Sequence, residues 1–80
     1  MAKMHCNQTL GFADRLRKVM DEHNVSAIKL GKMIGVRRTT VYEWLWGNVM
    51  PNSLYLARIC ANLKVSADYL LFGEDNTYET

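Results

Sequence analysis

Residues 30–48, LGKMIGVRRTTVYEWLWGN, decide how this chain folds. Two short apolar patterns lie on either side of one glycine, Gly35. Before it, Leu30 and Ile34 stand four residues apart and share one face of a helix. After it, the segment from Arg37 to Trp46 turns Val41 and Trp44 to a common side. Glycine often follows a helix's last turn, because it adopts a left-handed backbone that other residues reach only at a cost. Gly35 therefore stops the first segment, and Gly47–Asn48 stops the second. Gly31 has no side chain, so the two segments can cross closely, with Val36, Val41 and Trp44 placed to lock the crossing angle. Both ends of the second segment are unusual. It opens on two arginines, and it closes on Trp44-Leu45-Trp46.

Outward from this pair, the rest of the chain reads as helices too. Phe12, Leu16, Val19 and Met20 recur at helical spacing, with Asp14, Arg15, Arg17 and Lys18 on the other side. That helix fades near His23–Asn24, and Ser26 is a good N-cap for the next. NVMP is a loop closed by Pro51. Asn52 or Ser53 then caps a fourth helix, whose Leu56, Ile59, Cys60 and Leu63 form an i, i+3, i+4, i+7 stripe. Ser66 caps a short fifth helix that buries Leu70 and Leu71 and ends at Gly73. No segment alternates as a strand does. The expectation is an all-α domain over residues 11–73, with a flexible N-terminal arm over 1–10 and an acidic tail or linker over 74–80.

Eighty residues make one domain with a single modest core, and 49% apolar residues suffice to fold it. Cys6 and Cys60 are too few and too distant for a metal site, and His5 beside Cys6 with a lone His23 does not supply one. No metal or cofactor is expected. Cys60 reads as a small core residue and Cys6 as part of the arm, which suits a reducing compartment. The start, MAKMHCNQTLG, has no apolar stretch of the secretory kind, and no run is long enough to cross a bilayer. A cytoplasmic location follows, and the Asn-x-Thr/Ser triplets at Asn7 and Asn24 then carry no meaning. Net charge is only +2, but its distribution is uneven. From Asn24 to Tyr42 every charged residue is basic (Lys29, Lys32, Arg37, Arg38), and after Lys64 every one is acidic (Asp68, Glu74, Asp75, Glu79). That asymmetry suits an anionic partner better than the total does.

Two short helices joined by a tight glycine turn have the shape of a helix-turn-helix, whose second helix enters the DNA major groove. By itself the shape is a weak signal. The stretches FADRLRKVMDEHNVS, LGKMIGVRRTTVYEW, GNVMP and LARICANLKVSADYLLFGE strengthen it, for with them the chain from Phe12 to Glu74 resembles the lambda-repressor-like, or Xre, family. VSADYLLFG is especially like the fifth helix of phage repressors. The resemblance implies a compact five-helix domain that binds operator DNA as a homodimer. It places Arg37, Arg38, Thr39, Tyr42 and Glu43 at the base edges; the candidates for contacts to the DNA backbone are Ser26, Lys29, Lys32, Thr40 and Asn48.

Each base-edge candidate has chemistry to match. Arg38 can donate two bonds to guanine N7 and O6, a contact worth ~1–3 kcal/mol of discrimination. Thr39 offers a hydroxyl to a base or a methyl to thymine. Glu43 can accept from a cytosine amino group or orient an arginine one turn earlier, and Tyr42 and Thr40 can reach phosphate or sugar. For Tyr42 and Glu43, the ordinary solvated face of a helix explains the residues equally well. For the arginines it does not. A helix N-terminus disfavours cations by ~0.3–1 kcal/mol each. The family usually has a capping Ser or Thr at the residue matching Arg37, and losing a cap costs about 1 kcal/mol. A local violation of this kind often marks a functional site.

The sequence departs from the family in two places. The second helix normally begins Ser-Gln-Glu, with the glutamine on a phosphate, whereas here Ala27 stands at that position. Lys29 and Lys32 are the candidate replacements, unless they remain in solvent. Leu45 and Trp46 occupy positions that are usually polar, and Trp46 lies about 200° around the helix from Trp44, so both cannot face one core. Either Trp46 folds back over the loop at 47–51, or Leu45 and Trp46 form a dimer or partner patch extended by Met33, Val49 and Met50.

The resulting expectation is a DNA-binding transcriptional regulator, a repressor on a palindromic operator, with the third helix in the major groove. The alternative is an antitoxin-like or adaptor module that binds protein through Tyr42, Leu45 and Trp46. An adaptor, however, has no need of arginines at a helix N-terminus. An enzyme is the poorest reading: there is no Gly-rich phosphate loop, and Asp14, Asp21 and Glu22 lie on a solvated helix rather than in an acid–base constellation.

Overall fold

The computed structural model describes residues 4–73, with side-chain environments from residue 11 onward. Its helices are α1 (Met4–Glu22), α2 (Ala27–Ile34), α3 (Arg38–Leu45), α4 (Ser53–Leu63) and α5 (Ala67–Phe72), with no strand among the described residues. The boundaries follow local chemistry. Ser26 Oγ accepts from Lys29 N at 3.1 Å, Asn52 Oδ1 from Tyr55 N at 2.9 Å and Ser66 Oγ from Tyr69 N at 3.0 Å. Each such N-cap is worth about 1 kcal/mol. Gly35 (φ 86°) and Gly73 (φ 83°) end α2 and α5 in the left-handed conformation. Lys64 ends α4 in the same conformation at φ 57°, where a side chain is strained.

One boundary differs from the expectation. α1 begins at Met4, so residues 4–10 are helical where an arm over 1–10 was expected. Once α1 has nucleated, each further turn costs little, and no proline interrupts residues 4–10. The acidic tail over 74–80 lies outside the described residues.

α1 packs on α3 and α5, α2 packs on α3 and α4, and α4 packs on α5. The shared core holds Phe12, Leu16, Leu30, Ile34, Val41, Trp44, Ile59, Leu63 and Leu70, all almost fully buried. Trp44 is its largest member and leans on Tyr55, with ring centroids 6.1 Å apart. Leu56, Cys60 and Leu71 pack against this core as half-buried neighbours. Burial pushes the Cys60 thiol pKa up, as fits a packing role rather than a reactive one.

The α2–α3 crossing that matters for function is set by Gly31. A Cβ at Gly31 would lie 2.6 Å from the Val36 carbonyl oxygen. The turn cannot swing away from it. Val36 N and Gly35 N both donate to the Gly31 carbonyl, at 2.9 and 2.8 Å.

Candidate nucleic-acid interface

α3 presents two faces. Val41 and Trp44 point into the core, and Thr39, Tyr42, Glu43 and Trp46 follow at i, i+3, i+4 and i+7 on the opposite side. Arg37 is the N-cap, with extended backbone (φ −77°, ψ 154°) and no side-chain bond into the helix. Arg38 is the first helical residue, and both arginines are exposed. The first turn of α3 therefore has no acidic residue and no side-chain cap from Arg37, and of its amides Thr40 N alone is bonded among the described residues, to the Arg37 carbonyl at 3.0 Å.

The other arginines show how unusual that placement is. Arg15 donates from Nε and Nη2 to the Leu70 and Leu71 carbonyls, each at 2.9 Å, at the C-terminal end of α5. Arg58 donates to the Ile34 carbonyl at 3.0 Å, closing α2, and lies over the Tyr55 ring. Arg17 donates to the Leu45 carbonyl at the end of α3, and pairs with Asp14 at 3.1 Å. A helix C-terminus attracts cations, so these three sit where the backbone dipoles favour them. Arg37 and Arg38 sit where the dipoles oppose them. Among the described residues the one ion pair is Arg17–Asp14, so no carboxylate there compensates Arg37 or Arg38.

Arg37, Arg38 and Thr39 line a shallow depression together with Lys32, Ile28 and Val36. The fold thus gathers three cations from α2 and the head of α3 around one surface. Lys29 is exposed but outside that depression, as is Ser26, whose hydroxyl oxygen already caps α2. Ile28, 47% exposed, was not anticipated as part of this surface. The available signal was its position off the Leu30–Ile34 face.

Further along α3 the side chains are held by their neighbours. Tyr42 stacks on Trp46, with centroids 5.7 Å apart and planes 15° from parallel. Glu43 Oε1 accepts from Asn48 Nδ2 at 3.0 Å, so Asn48, expected along a DNA backbone, is bonded to an α3 side chain, and Glu43 orients no arginine there. Thr40 is half-buried. Leu45, expected beside Trp46 on a partner patch, packs on the core, as do Met33 and Met50. Trp46 is 60% exposed against Tyr42, and Val49 is exposed nearby in sequence.

No helix among the described residues is long and apolar enough to cross a membrane. The helix-turn-helix family profile matches residues 16–70, and the chain belongs to that family, in its lambda-repressor-like (Xre) branch. Within it the chain is similar to the P22 c2 repressor. The crystal structure of that protein in complex with synthetic operator 9T in the presence of Tl+ is 30% identical, with a TM-score of 0.75 over 79% of this chain and 96% of that one. The solution structure of the P22 c2 DNA-binding domain is 31% identical, with a TM-score of 0.74 over 81% and 86% of the two chains. The SOS-response transcriptional repressor LexA from Eubacterium rectale shares the fold at 19% identity, with a TM-score of 0.82 over 100% of this chain and 83% of that one. No curated protein matches.

Proposed function

We propose that this domain is a sequence-specific DNA-binding transcriptional regulator, a repressor that binds a palindromic operator as a homodimer with α3 in the major groove. The observation that carries this reading is electrostatic. The domain places three arginines at helix C-termini and two at the N-terminus of α3, uncompensated and exposed beside Lys32. A phosphate or a guanine edge reverses the sign of that misfit. The similar P22 c2 repressor was solved on a synthetic operator, which is the partner this surface suits.

In this reading Arg37 and Arg38 engage phosphate and guanine, and Thr39, Tyr42 and Glu43 face the bases further along. Lys32 takes a phosphate at the α2 edge, with Lys29 and Thr40 as weaker backbone contacts. The Ser26 hydroxyl oxygen is used as a cap, but its O–H remains free to donate to a phosphate. Two copies would read half-sites roughly 34–36 Å apart. The competing adaptor role loses ground because the paired arginines would have no task in it, and Leu45 is half-buried against the core.

Selection from a random duplex pool tests the proposal. A palindromic consensus is expected, with binding that weakens steeply as salt rises. Arg37→Ser should weaken binding and lower the slope of log K against log salt by about one. Failure to enrich any sequence would overturn the function.

A further inference from the structure

Trp46 has no task in the function proposed above, yet it is the most exposed large apolar side chain described. It is a C-cap residue with right-handed helical backbone (φ −84°, ψ −8°), so the angular register of α3 extends to it. At 3.6 residues per turn it lies within about 20° of Thr39 around the helix axis. It therefore belongs to the outward face that carries Thr39, Tyr42 and Glu43, one turn beyond Tyr42. Anything docked on Trp46 also covers those residues, so a protein partner there and DNA on α3 exclude each other.

Area speaks against a second copy as the occupant. A stable interface needs ~800 Å² per partner. Leu45, Met33 and Met50 are half-buried against the core, so of the apolar residues near the end of α3 only Trp46 and Val49 stand exposed. An aromatic side chain supplies only ~150–250 Å². Chemistry and geometry point to nucleic acid instead. The indole carries a single N–H donor, and a phosphate oxygen accepts. Trp46 stands about 12 Å along the axis from Arg38, and the major groove is about 12 Å wide. A helix whose first residues meet base edges brings a residue at that distance to the groove wall, where the backbone runs. Stacking on Tyr42 orders the indole in advance, so less side-chain freedom is lost on contact.

We propose that Trp46 is a DNA-contacting residue: its indole N–H donates to a backbone phosphate at the groove wall while its ring holds Tyr42 toward the bases. This rests on the DNA-binding function above and assigns the exposed aromatic pair to the same ligand. Because the donor is neutral, it displaces no counterion, and that separates it from the arginines.

The test uses the full chain and a duplex recovered by the selection described above. In the free protein, acrylamide should quench Trp46 and spare buried Trp44; the duplex should shield Trp46. Trp46→Phe keeps an aromatic ring on Tyr42 and removes the N–H. It should weaken binding about tenfold or more with the salt slope unchanged, unlike Arg37→Ser. Trp46→Ala should bind at least as weakly, and its sedimentation mass in the absence of DNA should equal that of the wild type. An indole still quenchable on the duplex, a Trp46→Ala variant that binds like the wild type, or one whose mass falls would each overturn the assignment. The quenching arm uses wild-type protein, so it decides even if a variant misfolds. A protein that selects no duplex at all refutes the function and this inference together, whereas selection with an unprotected indole refutes only the inference.

Discussion

Replacing Gly31 by alanine sets two effects of opposite sign against each other. In a helix interior, alanine is favoured over glycine by ~0.5–1 kcal/mol. At Gly31, however, the new Cβ meets the Val36 carbonyl oxygen at 2.6 Å, where ordinary contact begins near 3.4 Å. The atom in the way is backbone, and its residue is tied to Gly31, since Val36 N, like its neighbour Gly35 N, donates to the Gly31 carbonyl. Relief requires α3 to move off α2, which loosens Val41 and Trp44 in the core. Overpacking of this kind costs ~1–3 kcal/mol, and a backbone obstacle puts it at the upper end. The net loss is about 2 kcal/mol after the propensity gain, which lowers the melting temperature by roughly 8–16 °C in a domain of this size. Circular-dichroism melting of Gly31→Ala measures it. Gly11→Ala is the internal control, since its Cβ meets only the guanidinium tip of Arg15, at 3.2 Å. That guanidinium is bonded to the Leu70 and Leu71 carbonyls but needs to give by only a few tenths of an ångström, so Gly11→Ala should lose clearly less than Gly31→Ala. If Gly31→Ala melts at or above the wild type, close approach does not set the α2–α3 crossing.

Three further outcomes follow from the same structure. Arg37→Ser should stabilise the free domain by about 1 kcal/mol, through a new N-cap and the loss of a misplaced cation; an unchanged or lower melting temperature without DNA would show that the arginine is not misplaced. Arg15→Met strands the Leu70 and Leu71 carbonyls and should cost about 1–3 kcal/mol, seen as faster hydrogen exchange in α5 than in α2. Lys64→Gly removes a side chain from a left-handed backbone at φ 57° and should gain roughly 0.5–1 kcal/mol in urea denaturation, after allowing for the added freedom of the unfolded chain.

What could be read from the sequence alone was everything that depends on near neighbours along the chain. The caps at Ser26, Asn52 and Ser66, the stops at Gly35 and Gly73 and the core stripe of α4 all act within about a turn of helix, so composition and spacing suffice to find them. The close crossing at Gly31 was legible for the same reason, since the Val36 carbonyl that forbids a side chain there is only five residues on. α1 was misjudged at its start because Asn7, Thr9 and Gly11 are residues that usually mark a helix boundary, and the helix runs through all three. The misplaced pair at the head of α3 was legible from its position, but the tasks of the other three arginines were not. Arg15, Arg17 and Arg58 are separated from the carbonyls they bind by 55, 28 and 24 residues, and nothing near them in the sequence names those partners. The same holds for Leu45 and Trp46, adjacent and both apolar, of which one packs on the core and the other stands in solvent. Only the packed fold decides these cases, because a side chain's charge or exposure takes its meaning from which helix end or which face it meets, and those meetings are made between elements far apart along the chain.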